Sequence, residues 1–399
     1  MSEGPLTIGM SYDFDADDFV PSELKWSEGA VTNIGLGVSE MDFGTSEEVR
    51  SAVVRAIKDG VHGYLTPQRA SETVKAFTFW QANTHGWDVD ERVVKLLPDS
   101  ATAIVHIMQY LVDPRWPIVI ISPCYPKFEA AARSLGRVVI NVSLGDWQTG
   151  YRLDSERVSA SLHGIGPALV ILCNPHNPTG RVFTLPELEG LASVVAKNGG
   201  SVLSDEVHSA LTFAPAEHIP FELVAKNYGI ETFTLCSTTK AWNTSGLKCA
   251  ELVLPHRGWA DRWDAHTALS VASGATSTLG AIAAGVAYSA NAVWPRAVQK
   301  YLDSNRHVLS EFISERLPRS AYVIPDASFA AWVGLGAYIP RDVPFHDLSS
   351  YISIGARVTV DDGSKYGSDF GDHIRISFAT SQPVLLQALK RISDLVNQT

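Results

Sequence analysis

An α/β fold built on a mostly parallel sheet, with a smaller α+β domain beside it, is what this sequence predicts. Three observations predict it. Between about residues 92 and 285, short apolar runs alternate with helical segments. Those runs are apolar almost throughout, as in strands covered on both faces. Residues 289–399 then change pattern, mixing long helices with isolated strand-like pieces.

The elements follow in chain order. Residues 1–46 read as irregular, carrying Lys25-Trp26 and the run Gly37-Val38-Ser39-Glu40-Met41-Asp42-Phe43. Ser46 suits an N-cap, Glu47 and Glu48 the first turn, and Val49, Val53, Ala56 and Ile57 recur at helical spacing. That helix stops at Asp59-Gly60, leaving His62-Gly63-Tyr64 in a loop, and residues 71–85 read as a second helix. Strands are expected at Val93–Leu97, Ile118–Ile121, Val138–Val142, Leu169–Cys173, Ser201–Ser204, Phe233–Cys236 and Ala250–Leu254. Helices are expected at Thr102–Leu111, Phe128–Leu135, Leu185–Lys197 and Val271–Tyr288. The smaller domain offers a helix at Val298–Leu317, strands at Phe329–Val333 and His373–Phe378, and an amphipathic helix at Pro383–Val396. The expected division is a segment 1–46 packing with the small domain, a large domain 47–288 and a small domain 289–399.

Composition narrows the function. With 45% hydrophobic and 19% charged residues the chain can bury a sizeable core, and no apolar run exceeds strand length. The formal net charge of −11 argues against nucleic acid or an anionic membrane as partner. The N-terminus is acidic and has no signal-peptide pattern. Cys124, Cys173, Cys236 and Cys249 sit beside apolar runs without metal-ligand spacing, so reduced thiols, no metal site and a cytoplasmic setting are expected.

In open α/β sheets ligands bind beyond the carboxyl ends of the strands, so the residues that follow each strand matter most. Ser100, Ala101 and Thr102 open a helix after the first strand, where free N–H groups could cradle a phosphate or Asp99 could simply cap. Tyr125 follows the second strand and could cover a flat ligand. Asn174-Pro175-His176-Asn177-Pro178-Thr179-Gly180 makes a rigid turn that can aim an amide at a ligand oxygen. Asp205 ends a buried strand, where its charge needs a partner such as a protonated pyridine nitrogen. Lys240 comes just past another strand among Ser237, Thr238 and Thr239. Such an amine suits a Schiff base to a carbonyl ligand whose phosphate the hydroxyls hold.

The motifs NPHNPTG, SDEVH and STTK with GLK after it, in this order, resemble the fold-type I pyridoxal-phosphate (PLP) enzymes of the aspartate aminotransferase superfamily. Lys25-Trp26, SEMDF, HGY, SPCYPKF and KAWNTSGLK resemble, within it, the MalY/PatB group of C–S β-lyases, and the likeness covers nearly the whole chain. It implies that Lys240 holds PLP and later shuttles the Cα proton, and that Asp205 pairs with the ring nitrogen. Asn177 and His208 would attend the ring oxygen, and Tyr125 would stack on the ring. Ser100, Ala101, Thr102, Ser237, Thr239 and Lys248 would form the phosphate cup. Tyr64 would reach the phosphate of a neighbouring subunit in a homodimer. Arg375 would clamp the carboxylate of an amino-acid substrate, with Gly37 and Val38 beside its side chain.

Two departures stand out. Relatives commonly read WVADMDF where this chain has GVSEMDF, so Gly37 opens space and directs attention to substrates bulkier than cystathionine. Lys248 stands where aminotransferases usually carry an arginine, giving a point charge without the fork. The resemblance implies β-elimination of a cysteine S-conjugate to thiol, pyruvate and ammonia. Transamination, decarboxylating or oxidative deamination of a bulky conjugate, and a non-catalytic binding role stay open on the same residues.

Overall fold

Seven strands form the main sheet in the order β2-β8-β7-β6-β5-β3-β4 of a computed structural model, which describes residues 24–27, 29, 33–289, 293–339 and 348–398. They are β2 (Val94–Leu97), β3 (Ile118–Ser122), β4 (Val139–Ser143), β5 (Leu169–Cys173), β6 (Ser201–Asp205), β7 (Thr232–Cys236) and β8 (Ala250–Val253). A two-residue strand, β1 (Ile34–Gly35), precedes them in the chain. Strands β4, β3, β5, β6 and β7 pair in parallel, whereas β8 runs antiparallel to both β7 and β2. Six strands therefore share one direction and only β8 is reversed. Most of the expected segment 1–46 lies outside the described residues.

The unbroken apolar runs are explained by two cores. Ile118, Ile120, Ile171 and Leu203 pack into one cluster, while their neighbours Val119, Ile121, Val170, Leu172 and Val202 pack into the other. With a side-chain period of two, a strand buried on both faces leaves no solvent-facing position, so apolar residues dominate it. All five residues of β5, β6 and β7 are buried.

One expected helix divides. Val271–Tyr288 is two helices, Thr267–Gly274 and Thr278–Ser289, bent by 73° at the break. The Ser277 hydroxyl accepts from the Gly280 N–H at 3.2 Å and the Ser277 N–H donates to the Lys248 carbonyl at 3.1 Å, so a cap replaces the helical ladder. A Cβ on Gly280 would lie 2.1 Å from the Leu247 carbonyl oxygen; only glycine lets this helix start against the Lys248 loop. Thr102–Leu111 begins earlier, at Ser100, and its last five residues take the wider π-turn. No single described helix is long and apolar enough to cross a membrane.

The second sheet is antiparallel, in the order β12-β13-β10-β9, from β9 (Ala321–Tyr322), β10 (Ala330–Gly334), β12 (Asp361–Asp362) and β13 (His373–Ser377). Strand β1 pairs in parallel with β11 (Val358–Thr359), and the Ser377 N–H donates to the Leu36 carbonyl at 2.8 Å. We propose the three-part division given above as the domain organisation. Its supports are the separation of the seven-stranded from the four-stranded sheet, the pairing of residues 34–35 with β11, and the Leu36 hydrogen bond to Ser377 of the four-stranded sheet.

Candidate active site

Strand direction gathers the site. Residues after β2, β3, β5, β6 and β7 emerge at one edge of the main sheet, and because β8 is reversed its leading residues, Lys248 and Cys249, come to the same edge. The turn after β5 is tied down: the Asn174 N–H donates to the Asp205 carbonyl at 3.0 Å, and the Phe183 N–H to the Asn174 side-chain oxygen at 3.0 Å. Gly180 has φ +70°, and a Cβ there would meet Pro325 at 2.4 Å, so the turn needs glycine for both reasons.

Asp205 and Lys240 have shifted acidities. Burial pushes the Asp205 carboxyl up to about 6, opposed by the Val207 N–H at 3.3 Å and the Lys240 charge, while Glu206 adds to the rise. Burial, followed by repulsion from Arg375, brings the Lys240 amine down to about 8, against the pull of Asp205 and Glu40. The amine donates to the Ser39 carbonyl at 3.4 Å. His208 is buried and hydrogen-bonded through Nδ1 to the Ser328 hydroxyl at 3.1 Å; burial, then Lys240 and Arg375, hold it well below the usual histidine range. The Tyr125 hydroxyl is pushed up to about 12 by burial first and Asp205 second, so it keeps its proton.

Arg375 is buried and almost fully engaged. It donates to the Asn177 side-chain oxygen at 3.1 Å and to the Gly37 carbonyl at 2.9 Å. Its Nη2 also pairs with Asp361 Oδ2 at 2.9 Å, and its guanidinium lies over the Tyr366 ring at 5.2 Å. Because Asn177 spends its oxygen on Arg375, its amide N–H groups are the end it offers to an acceptor. Val38, partly exposed, follows Gly37 on the same segment. A Cβ at Gly37 would find only ordinary contacts, 3.4–3.6 Å from the Val360 and Asp361 backbone.

The expected phosphate residues fall on three neighbouring turns. Asp99 caps the first helix, accepting from the Thr102 N–H and hydroxyl at 2.8 Å each, and pairs with the Lys248 amine at 3.1 Å. Lys248 thus offsets the Asp99 carboxylate beside these turns. Ser100 and Ala101 lie in the first turn of that helix, where N–H groups are free of intrahelical partners. The Ser237 hydroxyl donates to the Cys249 carbonyl at 3.1 Å and accepts from the Thr239 N–H at 3.1 Å, binding the Lys240 loop to β8. Tyr64 stands apart. Its side chain is 94% exposed, and among the described residues no hydrogen bond joins it to this cluster.

Sequence reasoning missed Asp361, Tyr366 and Asn243. Asp361 faces Arg375 across the β12–β13 register, and nothing in its local sequence signals that pairing. Asn243 holds the Met41 backbone from both sides, accepting from its N–H at 3.1 Å and donating to its carbonyl at 2.9 Å. Lys25 and Asp42 form a fully buried ion pair at 2.9 Å, with the Trp26 indole donating to Asp42 at 2.9 Å. These contacts lash the 37–42 segment over Lys240. The four cysteines are free and buried, and burial raises each thiol, so none is a poised nucleophile. A cavity of about 680 Å³, lined by residues including His85, His218 and Gln299, shares no residue with the cluster.

Comparisons with known proteins cover nearly the whole chain. The family model for aminotransferase class I and II matches residues 31–392. A putative cystathionine beta-lyase of Mycobacterium tuberculosis (strain CDC 1551 / Oshkosh) is 32% identical, over 93% of this chain and 94% of the relative. Cystathionine beta-lyase PatB of Bacillus subtilis (strain 168) is 27% identical over 96% of this chain and 99% of its own. Among solved structures, the PLP-bound C–S lyase from Staphylococcus hominis superposes with a TM-score of 0.86 at 26% identity, covering 96% of each chain. A match across nearly the whole sequence, on a sheet that brings the matched motifs to one edge, leaves a single conclusion: this chain belongs to the aminotransferase class I and II family.

Proposed function

We propose that this protein is a PLP-dependent lyase that breaks the Cβ–S bond of a cysteine S-conjugate, giving a thiol, pyruvate and ammonia. The observation that carries the reading is the meeting of Lys240, Asp205 and Arg375 at one strand edge. The lyase names of the relatives support the C–S bond as the one broken.

The residues fit the cofactor. Asp205 is a fully buried carboxyl whose one side-chain hydrogen bond among the described residues is a backbone N–H, so a cationic ring nitrogen is the partner it lacks. The free end of the Asn177 amide suits a ring oxygen, and the N–H groups of Ser100 and Ala101 suit a phosphate. Ser237, Thr239 and Lys248 complete that cup, and Tyr125 supplies an aromatic face. Lys240 would hold the cofactor covalently. The bound cofactor would supply an electron sink that makes the substrate Cα–H acidic.

The chain's own residues do the rest. Arg375 fixes the substrate by its carboxylate, with Gly37 and Val38 leaving room beside it. The Lys240 amine, at about 8, is neutral often enough near neutral pH to take the Cα proton and basic enough to hold it. As the C–S electrons leave with sulfur, the thiolate takes up a proton, and water completes the release of pyruvate and ammonia. Tyr125, kept neutral by its burial, is a proton donor of this kind. A dimer in which Tyr64 reaches the neighbouring phosphate belongs to the same proposal, supported by its exposed ring.

Aminotransfer is the second reading, favoured by the family match itself, and it uses every residue above. The deciding experiment assays thiol and pyruvate together, from L-cystathionine and from a bulkier S-alkyl cysteine. Equal amounts of both products are expected, faster from the bulkier substrate. Conversion of the amino acid without thiol release would overturn β-elimination in favour of transamination or oxidative deamination.

A further inference from the structure

We infer that Asp361 positions the Arg375 clamp and makes it discriminate against substrates with a second carboxylate. The inference rests on reading Arg375 as the α-carboxylate clamp. Strand register puts Asp361 directly across from Arg375. Its two oxygens are fixed from four directions. Oδ2 meets Arg375 Nη2 at 2.9 Å and the Tyr366 hydroxyl at 2.7 Å; Oδ1 meets the Lys365 amine at 3.0 Å and the Asp362 N–H at 3.2 Å. A carboxylate held this firmly has little freedom to swing away from Arg375.

Two consequences follow for a ligand. Asn177 and Gly37 already accept from two of the four N–H groups on the terminal nitrogens of Arg375, and Asp361 crowds the nitrogen that serves Gly37. The Tyr366 ring, 5.2 Å from the guanidinium, supports its face. The clamp therefore offers a restricted edge, which orients one carboxylate. The charge of Asp361 also offsets part of the attraction the clamp has to give. Arg375 Nη2 touches both the Gly37 carbonyl oxygen and Asp361 Oδ2, each at 2.9 Å, so the Asp361 charge lies beside the Gly37 segment, where the substrate side chain is expected. A neutral thioether there meets no repulsion. An anionic side chain meets Asp361, and at an effective dielectric near 20 a like charge a few ångströms away costs on the order of tenfold or more in affinity. Selectivity of this kind comes from an introduced repulsion rather than from a better attraction.

The test uses the PLP-loaded enzyme and two unreactive acids of equal length, butyrate and succinate, with dissociation constants measured by calorimetry. Wild type is expected to prefer butyrate by about tenfold. Asp361→Asn keeps the hydrogen-bonding shape without the charge and is expected to tighten succinate about tenfold, with little change for butyrate. Lys365→Met removes the cation that offsets Asp361 and is expected to widen the preference about twofold. This second variant keeps the test decisive if Asp361→Asn fails to fold. Arg375→Ala separates the two levels. If both acids still bind to Arg375→Ala, the clamp reading itself is wrong. If Arg375→Ala abolishes binding yet the butyrate-to-succinate ratio is the same in wild type, Asp361→Asn and Lys365→Met, the role of Asp361 is refuted.

Discussion

Two buried carboxyls in one sheet, Asp205 and Glu251, look alike by acidity and differ in everything else. Burial raises both, Asp205 to about 6 and Glu251 to about 8. Glu251 lies within β8 and is closed off: the Tyr288 hydroxyl donates to it at 2.8 Å and the Cys249 thiol at 3.8 Å. Tyr288 belongs to the helix that covers this face, so Glu251 is a polar rivet between strand and helix. Asp205 ends β6, accepts one backbone N–H, and faces Lys240. A shifted acidity therefore does not mark a site by itself. What marks Asp205 is its place at the strand end and the partner it still lacks.

Mutations at the two positions should separate these roles. The largest effect is expected from Lys240→Ala, which removes both the proposed covalent anchor and the proposed base: turnover should fall by about 10⁴-fold or more. Wild-type turnover in that variant would erase the contrast. Asp205→Ala should keep the fold and some cofactor but lose about 10²–10³-fold in turnover, measured as pyruvate release, because no charge is left to hold the ring nitrogen protonated. An equal loss from Glu251→Gln would contradict the assignment of Glu251 to structure.

The functional pair should also announce itself kinetically. On the proposed role of Lys240, cofactor is captured through its neutral amine, so the capture rate should climb as pH rises towards about 8 and level off above it. The climb over the last pH unit is about fivefold. A flat profile would show that a different group limits capture.

The smallest effect is on stability. Glu251 is raised in the folded chain, so its contribution favours folding at low pH, where it is protonated in both states. That contribution is lost as pH rises from the ordinary carboxylate range through about 8. Glu251→Gln stays neutral throughout. It should match wild type near pH 4 and exceed it by about 1–3 kcal/mol in denaturant unfolding near pH 9. Equal pH dependence in both proteins would remove Glu251 from the account.

How much of this was legible in the sequence depends on distance along the chain. Asp205, Asn177 and Lys240 could be read because each follows a recognisable apolar strand and strand ends are where an α/β sheet binds ligands. The expected strands came within one residue of their observed ends, since runs buried on both faces are apolar along most of their length. The break at Ser277 was missed because its cause is tertiary, the carbonyl of Lys248. Glu251 was invisible for a similar reason: within the strand-like run Ala250–Leu254 a lone glutamate reads as a solvated face, and only Tyr288 makes it buried. The Lys25–Asp42 and Arg375–Asp361 pairs join segments whose proximity depends on packing, not on any local pattern.

The most direct test of the central claim is to reduce the PLP-loaded protein with borohydride and map the modified lysine by mass spectrometry. The account predicts the pyridoxyl adduct on Lys240. An adduct on Lys248, or on any other lysine with Lys240 unmodified, would contradict it.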